Sequence, residues 1–267
     1  MKNILLTIEY DGTSFFGWQR QPEKRTVQGE LERVLSVVCR CPVQVNGTSR
    51  TDAGVHALGQ RASFKGDFGI PTDRLVVAAN NILAGGMNSI GKIGDLRIVS
   101  AEEVPEGFHA RFDAKGKKYV YKILNCQETQ IFSRNQYYQV RKSLNIEAMK
   151  QAALYIKGTH DFKCFQAAGG EEKKTTVRTI YDLQITEEKN ELGKRTIFIE
   201  IKGDGFLYNM VRIITGTLVE VGSGKLPAEA VQDIVESGQR QKAGHTAPPQ
   251  GLYLSKVYYK LEDLAGL

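Results

Sequence analysis

Hydrophobic and polar residues alternate near the start of the chain, and a period of two is typical of a strand with one buried face. Ile4, Leu6, Ile8 and Tyr10 occupy every second position there. The patterns also predict strands over residues 43–45, 96–101, 117–124, 177–185, 197–201 and 252–259.

Apolar residues spaced by three or four positions predict five helices. Thr26 and Thr72 are suitable N-caps for the first two helices, and Gly85-Gly86 would end the second. Gly158 would stop the third helix, and Pro227 lies near the start of the last. The helices are predicted over residues 27–38, 72–83, 146–156, 207–221 and 227–237.

Strands and helices follow one another in a mixed order, without the regular alternation of a parallel α/β fold. This order favours the α+β class, with a largely antiparallel central sheet flanked by helices. Polar connectors at 85–95 and 103–116 place a boundary near residue 105. We therefore expect two subdomains, residues 1–105 and 106–267, with a cleft between them.

The excess of positive charge is concentrated in one segment of the chain, and this indicates a class of partner. The chain of 267 residues has a net charge of +6, and residues 108–142 hold eight Lys or Arg against two acidic residues. Seven Phe or Tyr residues lie in the same stretch. Cations bind phosphates and aromatic rings stack on bases, so the mixture suits nucleic acid. A solvated basic face with ordinary core aromatics is the other interpretation.

Several classes of protein are disfavoured. No run of eighteen apolar residues would span a membrane, and residues 1–10 lack the features of a signal peptide, so a cytoplasmic location is expected. The four cysteines and four histidines lack ligand-like spacing, so neither a metal site nor a disulfide framework is expected. Serine-hydrolase, Walker and dinucleotide motifs are missing from the sequence.

The segment 46–56 contains the strongest candidate chemistry. Arg50 and Asp52 lie two residues apart, so in an extended backbone their side chains would point to the same side. Arg50 would then favour the ionised form of Asp52, and Gly54 would let a flat substrate approach the backbone. An ionised, accessible carboxylate suits nucleophilic catalysis. On the motif alone, a surface ion pair is the commoner interpretation.

Arg212 is a second candidate, because it lies beside the apolar stripe of the helix predicted over 207–221. A buried arginine needs an anion, and Asp52 would provide one, so we predict a long-range pair between Arg212 and Asp52. The alternative is that Arg212 extends to solvent.

Several segments together resemble one known family. They occur in family order with similar spacing at residues 10–21, 26–32, 49–57, 108–112, 119–121, 158–162, 206–212 and 247–254. The chain resembles the bacterial tRNA pseudouridine synthase A family in these segments. The resemblance implies a central antiparallel sheet, a deep basic active-site cleft and a homodimer that holds tRNA across both subunits.

The resemblance also implies an activity. Family members convert uridines at positions 38, 39 and 40 of the tRNA anticodon stem-loop into pseudouridine, with no metal or organic cofactor. Asp52 would be the nucleophile and would attack either C6 of uracil or C1′ of ribose. Arg50 would take the place of the everted base, an exchange that offsets the cost of unstacking it.

Further residues acquire roles from the same resemblance. Tyr119 would stack on the base and its hydroxyl would assist loss of the C5 proton, and Arg212 would pair with Asp52. Leu252 would pack on the other face of the uracil, although core packing is the commoner role of a leucine. The RNA-binding segment would comprise Phe108, His109, Ala110, Arg111 and Phe112.

A non-catalytic tRNA-binding protein, such as a tRNA folding chaperone, is the alternative function. The basic, aromatic stretch 108–142 would serve it equally well. Asp52 discriminates between the two, because a protein that only binds RNA has no use for a carboxylate beside phosphates.

Overall fold

The computed structural model describes residues 1–85, 93–170, 174–189 and 194–265. Contacts divide the chain into two compact units. The first comprises Met1–Ala114 and Tyr253–Tyr259, and the second comprises Lys115–Leu252 and the residues from Lys260 onward. The division lies beyond the boundary expected near residue 105, and the last strand returns to the first unit. The functional division into residues 1–105 and 106–267 stays a prediction.

The sheet of the first unit is centred on strand β1 (Lys2–Tyr10). Strands β3 (His56–Gly66) and β4 (Leu96–Glu103) pair with β1 on its two sides, both antiparallel. The two-residue strand β2 (Asn46–Gly47) pairs antiparallel with β3, and β10 (Leu252–Tyr258) pairs parallel with β3. The apolar residues that alternate along β1 are completely buried, as their spacing predicts.

Two helices belong to the first unit. Helix α1 (Val27–Cys39) begins where Thr26 accepts a hydrogen bond from the amide of Gly29, so the predicted cap is confirmed. Helix α2 (Thr72–Leu83) has Pro71 at the N-cap position, and the prediction that Thr72 caps it is wrong. Thr72 is the first helical residue, and its hydroxyl donates to Glu103 instead. Gly85 follows the helix with a positive φ, and Gly86 lies outside the described residues.

The sheet of the second unit contains five strands in its described part. Strand β5 (Gly116–Asn125) pairs antiparallel with β9 (Arg195–Gly203), which pairs antiparallel with β8 (Val177–Lys189). Strand β7 (Gly158–Asp161) continues the sheet beyond β8, and β6 (Tyr138–Val140) pairs parallel with β5. Antiparallel pairing dominates in both units, which confirms the predicted α+β class.

The described helices of the second unit are α3 (Ile146–Leu154), α4 (Met210–Gly222), α5 (Ala230–Ser237) and α6 (Leu261–Ala265). Helix α4 is buried along nearly its whole length and packs against α3. A Cβ at Gly222 would lie 2.7 Å from the sulfur of Met149, so glycine permits this close approach.

Three predicted helix boundaries were wrong. Helix α4 starts at Met210 rather than at residue 207, because Asn209 has a left-handed backbone with φ of 59°. Helix α5 starts at Ala230 rather than at 227, because the amides there bond to carbonyls three residues back in a tighter turn. Helix α3 ends at Leu154 rather than at 156 for the same reason.

The strand predicted at 43–45 is wrong, because side chains of α1 occupy the backbone groups that a strand would use. The amide of Val43 donates to the hydroxyl of Ser36, and that of Val45 donates to the carboxylate of Glu32. The strand pairing begins one residue later, at Asn46.

Two cysteine thiols lie in the core. Burial raises the pKa of Cys39 to about 11, and Cys41 adds to the shift. Burial also raises the pKa of Cys164 to about 12. Both thiols therefore stay protonated at neutral pH, where they are poor nucleophiles and poor metal ligands.

Thr26→Ala removes the cap of α1 and is expected to lower the free energy of unfolding by about 1 kcal/mol. Thr72→Ala is the matched control, since its hydroxyl caps nothing, and the expected change is within about 0.5 kcal/mol. Urea unfolding followed by circular dichroism measures both values. Equal losses in the two variants would contradict the assignment of the cap.

Candidate functional site

Asp52 lies in a loop of the first unit that joins β2 to β3. Side-chain hydrogen bonds fix the start of the loop: the side-chain amide of Gln60 donates to the carbonyl of Ser49 at 2.7 Å, and its oxygen accepts from the Ser49 amide at 3.2 Å. The hydroxyl of Thr48 lies 2.9 Å from the carbonyl oxygens of Arg61 and Ala110. Because these groups are buried, they hold the backbone before Asp52 in one position.

A turn follows Asp52. The amide of Val55 donates to the carbonyl of Asp52 at 3.2 Å, and Gly54 has a φ of 78° that favours glycine. The side chain of Asp52 is half-buried, whereas that of Arg50 is exposed. Asp52 therefore extends from a rigid turn, which is how a reacting carboxylate must be held.

The segment from Tyr10 to Trp18 packs against this loop. The hydroxyls of Tyr10 and Thr51 are 2.7 Å apart, and the amide of Trp18 donates to the Thr51 carbonyl at 2.9 Å. A Cβ at Gly12 would overlap the carbonyl oxygen of Val55. The two backbones therefore touch without intervening side chains.

Gly17 and Gly47 make similar close approaches. Gly17 has a φ of 84°, and a Cβ there would lie 2.7 Å from the Thr51 carbonyl oxygen. A Cβ at Gly47 would overlap the indole of Trp18. Glycine is therefore required on both sides of this contact.

His56 closes the loop at the start of β3. Its Nδ1 accepts a hydrogen bond from the amide of Gly12 at 3.0 Å, which places the ring proton on Nε2 in the neutral form. The ring stacks on Tyr253 with centroids 4.6 Å apart. The pairing of β10 with β3 thus fixes the end of the Asp52 loop.

The predicted RNA-binding segment Phe108–Phe112 also lies in the first compact unit. Ala110 is completely buried, and its amide donates to the Ser63 hydroxyl while its carbonyl accepts from Tyr259. Ala110 therefore anchors the segment, and its contact with RNA stays a prediction.

A cavity of about 300 Å³ lies in the first unit beside this segment. Arg50 and Arg111 both line it. Burial lowers the pKa of the Arg50 guanidinium, and the like charge of Arg111 lowers it further. Two neighbouring guanidinium groups at one cavity would be stabilised by an anion.

In the second unit, Tyr119 lies on β5 and is largely buried. Its ring meets Phe206 edge to face, with centroids 5.1 Å apart and planes at 85°. This contact fixes the orientation of the Tyr119 ring.

Arg212 on α4 is half-buried and holds the segment before β10. Its Nε donates to the carbonyl of Ala247 at 2.7 Å, and its Nη1 donates to Asn209 at 2.7 Å. The predicted alternative in which Arg212 simply extends to solvent does not account for these bonds. Leu252, also predicted for the site, is buried.

Arg50 and Asp52 therefore lie in the first unit, and Tyr119, Arg212 and Leu252 lie in the second. The contacts given above for each group lie within its own unit. The pair between Arg212 and Asp52, and the effect of Arg50 on the ionisation of Asp52, stay predictions.

Sequence patterns missed several residues that support these groups. The buried hydroxyl of Tyr121 donates to the carbonyl of Pro248 at 2.6 Å, and burial raises its pKa well above the usual value. The imidazole of His245 lies 2.9 Å from Glu220 and 3.2 Å from the hydroxyl of Tyr138. Tyr121 lies within the strand predicted over 117–124, but no local pattern identified its acceptor.

In the described part of the chain, no cluster of three or more His, Cys, Asp or Glu side chains is arranged to hold a metal ion. None of the described helices has the length and hydropathy needed to cross a bilayer.

Comparison with known proteins identifies the family. The family model described as tRNA pseudouridine synthase matches residues 6–113 and 152–260. The tRNA pseudouridine synthase A 2 of Clostridium perfringens is 47% identical over 259 residues, which is 97% of this chain and 100% of that protein. The tRNA pseudouridine synthase A of Ruminiclostridium cellulolyticum is 48% identical over the same coverage.

The chain belongs to the tRNA pseudouridine synthase family. It is an isomerase that acts on tRNA, which confirms the predicted enzyme class and the family resemblance. A chain of the solved Cbf5-Nop10-Gar1 complex also matches, at 8% identity and a TM-score of 0.30, over 95% of this chain and 56% of that one. A score this low carries no argument.

The matched residues of this synthase family include the loop of Asp52, the segment Phe108–Phe112, Arg212 and Leu252, whereas Tyr119 lies between the two matched stretches.

Gly12→Ala tests the support of the Asp52 loop. The added methyl group would push the turn away from its position, so we expect pseudouridine formation to fall by about 100-fold. Gly69→Ala is the matched control, because a Cβ there meets nothing within 4 Å, and its rate should stay within about two-fold of wild type. Rates are measured on a tRNA transcript, and circular dichroism checks folding. A fully active Gly12→Ala would contradict the tight contact.

Proposed function

We propose that this protein converts uridines at positions 38, 39 and 40 of the tRNA anticodon stem-loop into pseudouridines, with Asp52 as the nucleophile. The observation that carries the proposal is the fixed loop of Asp52 in a member of a tRNA pseudouridine synthase family. Its hydrogen bonds and glycine contacts hold the backbone that carries the carboxylate, and covalent catalysis requires a nucleophile on such a fixed support.

The reaction rearranges bonds within one nucleotide. The bond between N1 of uracil and C1′ of ribose breaks, the base turns, and C5 bonds to C1′. N1 gains a proton and C5 loses one, so atoms and electrons balance without an oxidant or a cofactor. Asp52 attacks either C6 of the uracil or C1′ of the ribose, and both routes remain open.

The uridine must leave the base stack before it reacts, and unstacking costs a few kcal/mol. Arg50 is exposed on the loop two residues before Asp52, a position from which its planar guanidinium would fill the gap left by the everted base. Arg111 would contact the RNA backbone from the neighbouring segment.

Tyr119 would stack on the everted uracil, with Leu252 on the other face. The edge contact with Phe206 fixes the tyrosine ring, so little conformational entropy would be lost on binding. The hydroxyl of Tyr119 would assist loss of the proton from C5. Arg212, held by Ala247 and Asn209, would pair with Asp52 and keep it ionised.

The assignment of a homodimer and of a cytoplasmic location belongs to the same proposal. The homodimer rests on the resemblance of the sequence to the bacterial family, whereas the location was predicted from the sequence itself.

Asp52→Asn removes the nucleophile while keeping the size of the side chain. We expect the rate of pseudouridine formation to fall by at least about 1,000-fold, with little change in the affinity for tRNA. Asp73→Asn on exposed α2 is the control and should behave as wild type. Chemical labelling of pseudouridine in a tRNA transcript measures turnover, and filter binding measures affinity. Turnover retained by Asp52→Asn would defeat the assignment.

Tyr119→Phe tests the hydroxyl. If the phenol moves the C5 proton, kcat should fall by about 100-fold while KM changes little. Tyr119→Leu removes the ring as well and should also weaken binding of the everted base. A Tyr119→Phe variant with the wild-type kcat would restrict Tyr119 to stacking.

A further inference from the structure

The cavity of the first unit has the size of a small ligand site. Its volume of about 300 Å³ is at the lower end of the range of about 300–1,000 Å³ for such sites. Among the described residues, its lining includes Arg50 but neither Asp52 nor any other acidic side chain. The proposed nucleophile therefore does not line the cavity, although Arg50, two residues before it, does.

The floor of the cavity is a preformed part of the core. Trp18 and Val45 line it and are almost completely buried. The side chain of Gln28 donates to the Val45 carbonyl at 3.0 Å and to the buried carboxylate of Glu32 at 3.1 Å, and Glu32 also accepts from the Val45 amide. These bonds fix the shape of the floor before any ligand arrives.

The rim carries an aromatic ring in an unusual position. Phe112 is 73% exposed, although its ring is held against His109 with centroids 4.3 Å apart. Nδ1 of His109 accepts from the amides of Arg111 and Phe112 at 3.1 and 3.4 Å, so the histidine ring is held in place and the ring of Phe112 packs against it. An exposed aromatic ring beside a cationic cavity is suited to stack on a base.

The charge of the cavity points to an anionic ligand. Arg50 and Arg111 both line it, and burial together with the like charge of Arg111 lowers the pKa of the Arg50 guanidinium. A phosphate would accept charge-assisted hydrogen bonds from both guanidinium groups. The cavity thus combines a platform for a base with cations for a phosphate.

We propose that this cavity binds a second, unstacked nucleotide of the same tRNA, with its base on Phe112 and its phosphate beside Arg111. The proposal rests on the proposed function, in which Arg50 fills the gap left by the everted uridine and so forms the wall between the two nucleotides. Arg50 and Asp52 are separated by at most about 7 Å of extended backbone, so we expect this nucleotide to be close to the reacting uridine along the strand.

Such a subsite would explain how one enzyme accepts neighbouring positions. Stacking on an aromatic ring tolerates every base, because each base has a π-face. The cavity would therefore set the distance between the held nucleotide and Asp52 without reading its sequence.

The test uses the full chain and anticodon stem-loop RNAs that carry one abasic nucleotide at a time near the target uridine, with binding measured by fluorescence anisotropy. Wild-type protein should bind one of these RNAs about ten-fold more weakly than intact RNA. Phe112→Ala should weaken binding of intact RNA by a similar factor. It should show no further loss on that one abasic RNA, since both changes remove the same stack.

Arg111→Gln extends the test to the phosphate. A neutral methylphosphonate at the same nucleotide should weaken wild-type binding and should not weaken Arg111→Gln further. Arg74→Gln, an exposed arginine of α2, is the matched control and should keep the wild-type response to both RNAs. Phe112→Leu, which keeps an apolar side chain without the ring, replaces Phe112→Ala if circular dichroism reports misfolding.

If the loss of affinity caused by Phe112→Ala and the loss caused by the abasic nucleotide add for every abasic RNA, the subsite is overturned. That result is distinguishable from failure of the proposed function, because the comparison of variants and abasic RNAs measures binding and not turnover. An active Asp52→Asn would overturn the nucleophile while the coupling stays measurable. If Asp52→Asn is inactive but the losses from Phe112→Ala and from the abasic nucleotide add at every position, only the subsite is overturned.

Discussion

Contact between two backbone segments without intervening side chains determines the position of Asp52. Gly12 and Gly17 have no room for a Cβ against the loop that carries it, and Gly47 has none against Trp18. Hydrogen bonds from Gln60 and Trp18 complete the support. Loops are usually mobile, so a nucleophile placed on one needs such contacts to keep a productive geometry.

Much of the fold was predictable, because apolar periodicity reports burial directly. Strand β1 and helices α1 and α2 follow the expected ranges closely. The failures have physical causes. Strand β3 was not predicted, because polar residues occupy buried positions in it: Gln60 bonds to Ser49 of the Asp52 loop, and His56 accepts from Gly12 of the segment packed against that loop. The polar residues that support the site therefore interrupt the apolar alternation that would have predicted strand β3.

Only those parts of the candidate site whose residues lie close together in the sequence were predictable. Arg50 and Asp52 are close in sequence, and the cluster from Phe108 to Phe112 is a short basic and aromatic segment. The cavity beside Arg111 combines residues from 18 to 112, and no sequence period links them. The acceptor role of His109 also depends on the local turn, which composition does not encode.

The return of residues 253–259 to the first unit has a consequence for synthesis on the ribosome. The nascent chain makes Asp52 early, yet Tyr253, which stacks on His56 and pairs with it, emerges about two hundred residues later. Translation at about 5–20 residues per second leaves a delay of at least about ten seconds. During this time the second unit is synthesised up to Leu252, whereas the first lacks its parallel strand. Chains that terminate before β10 would thus carry an Asp52 loop without this support. Only chains translated through β10 would complete the support of the loop.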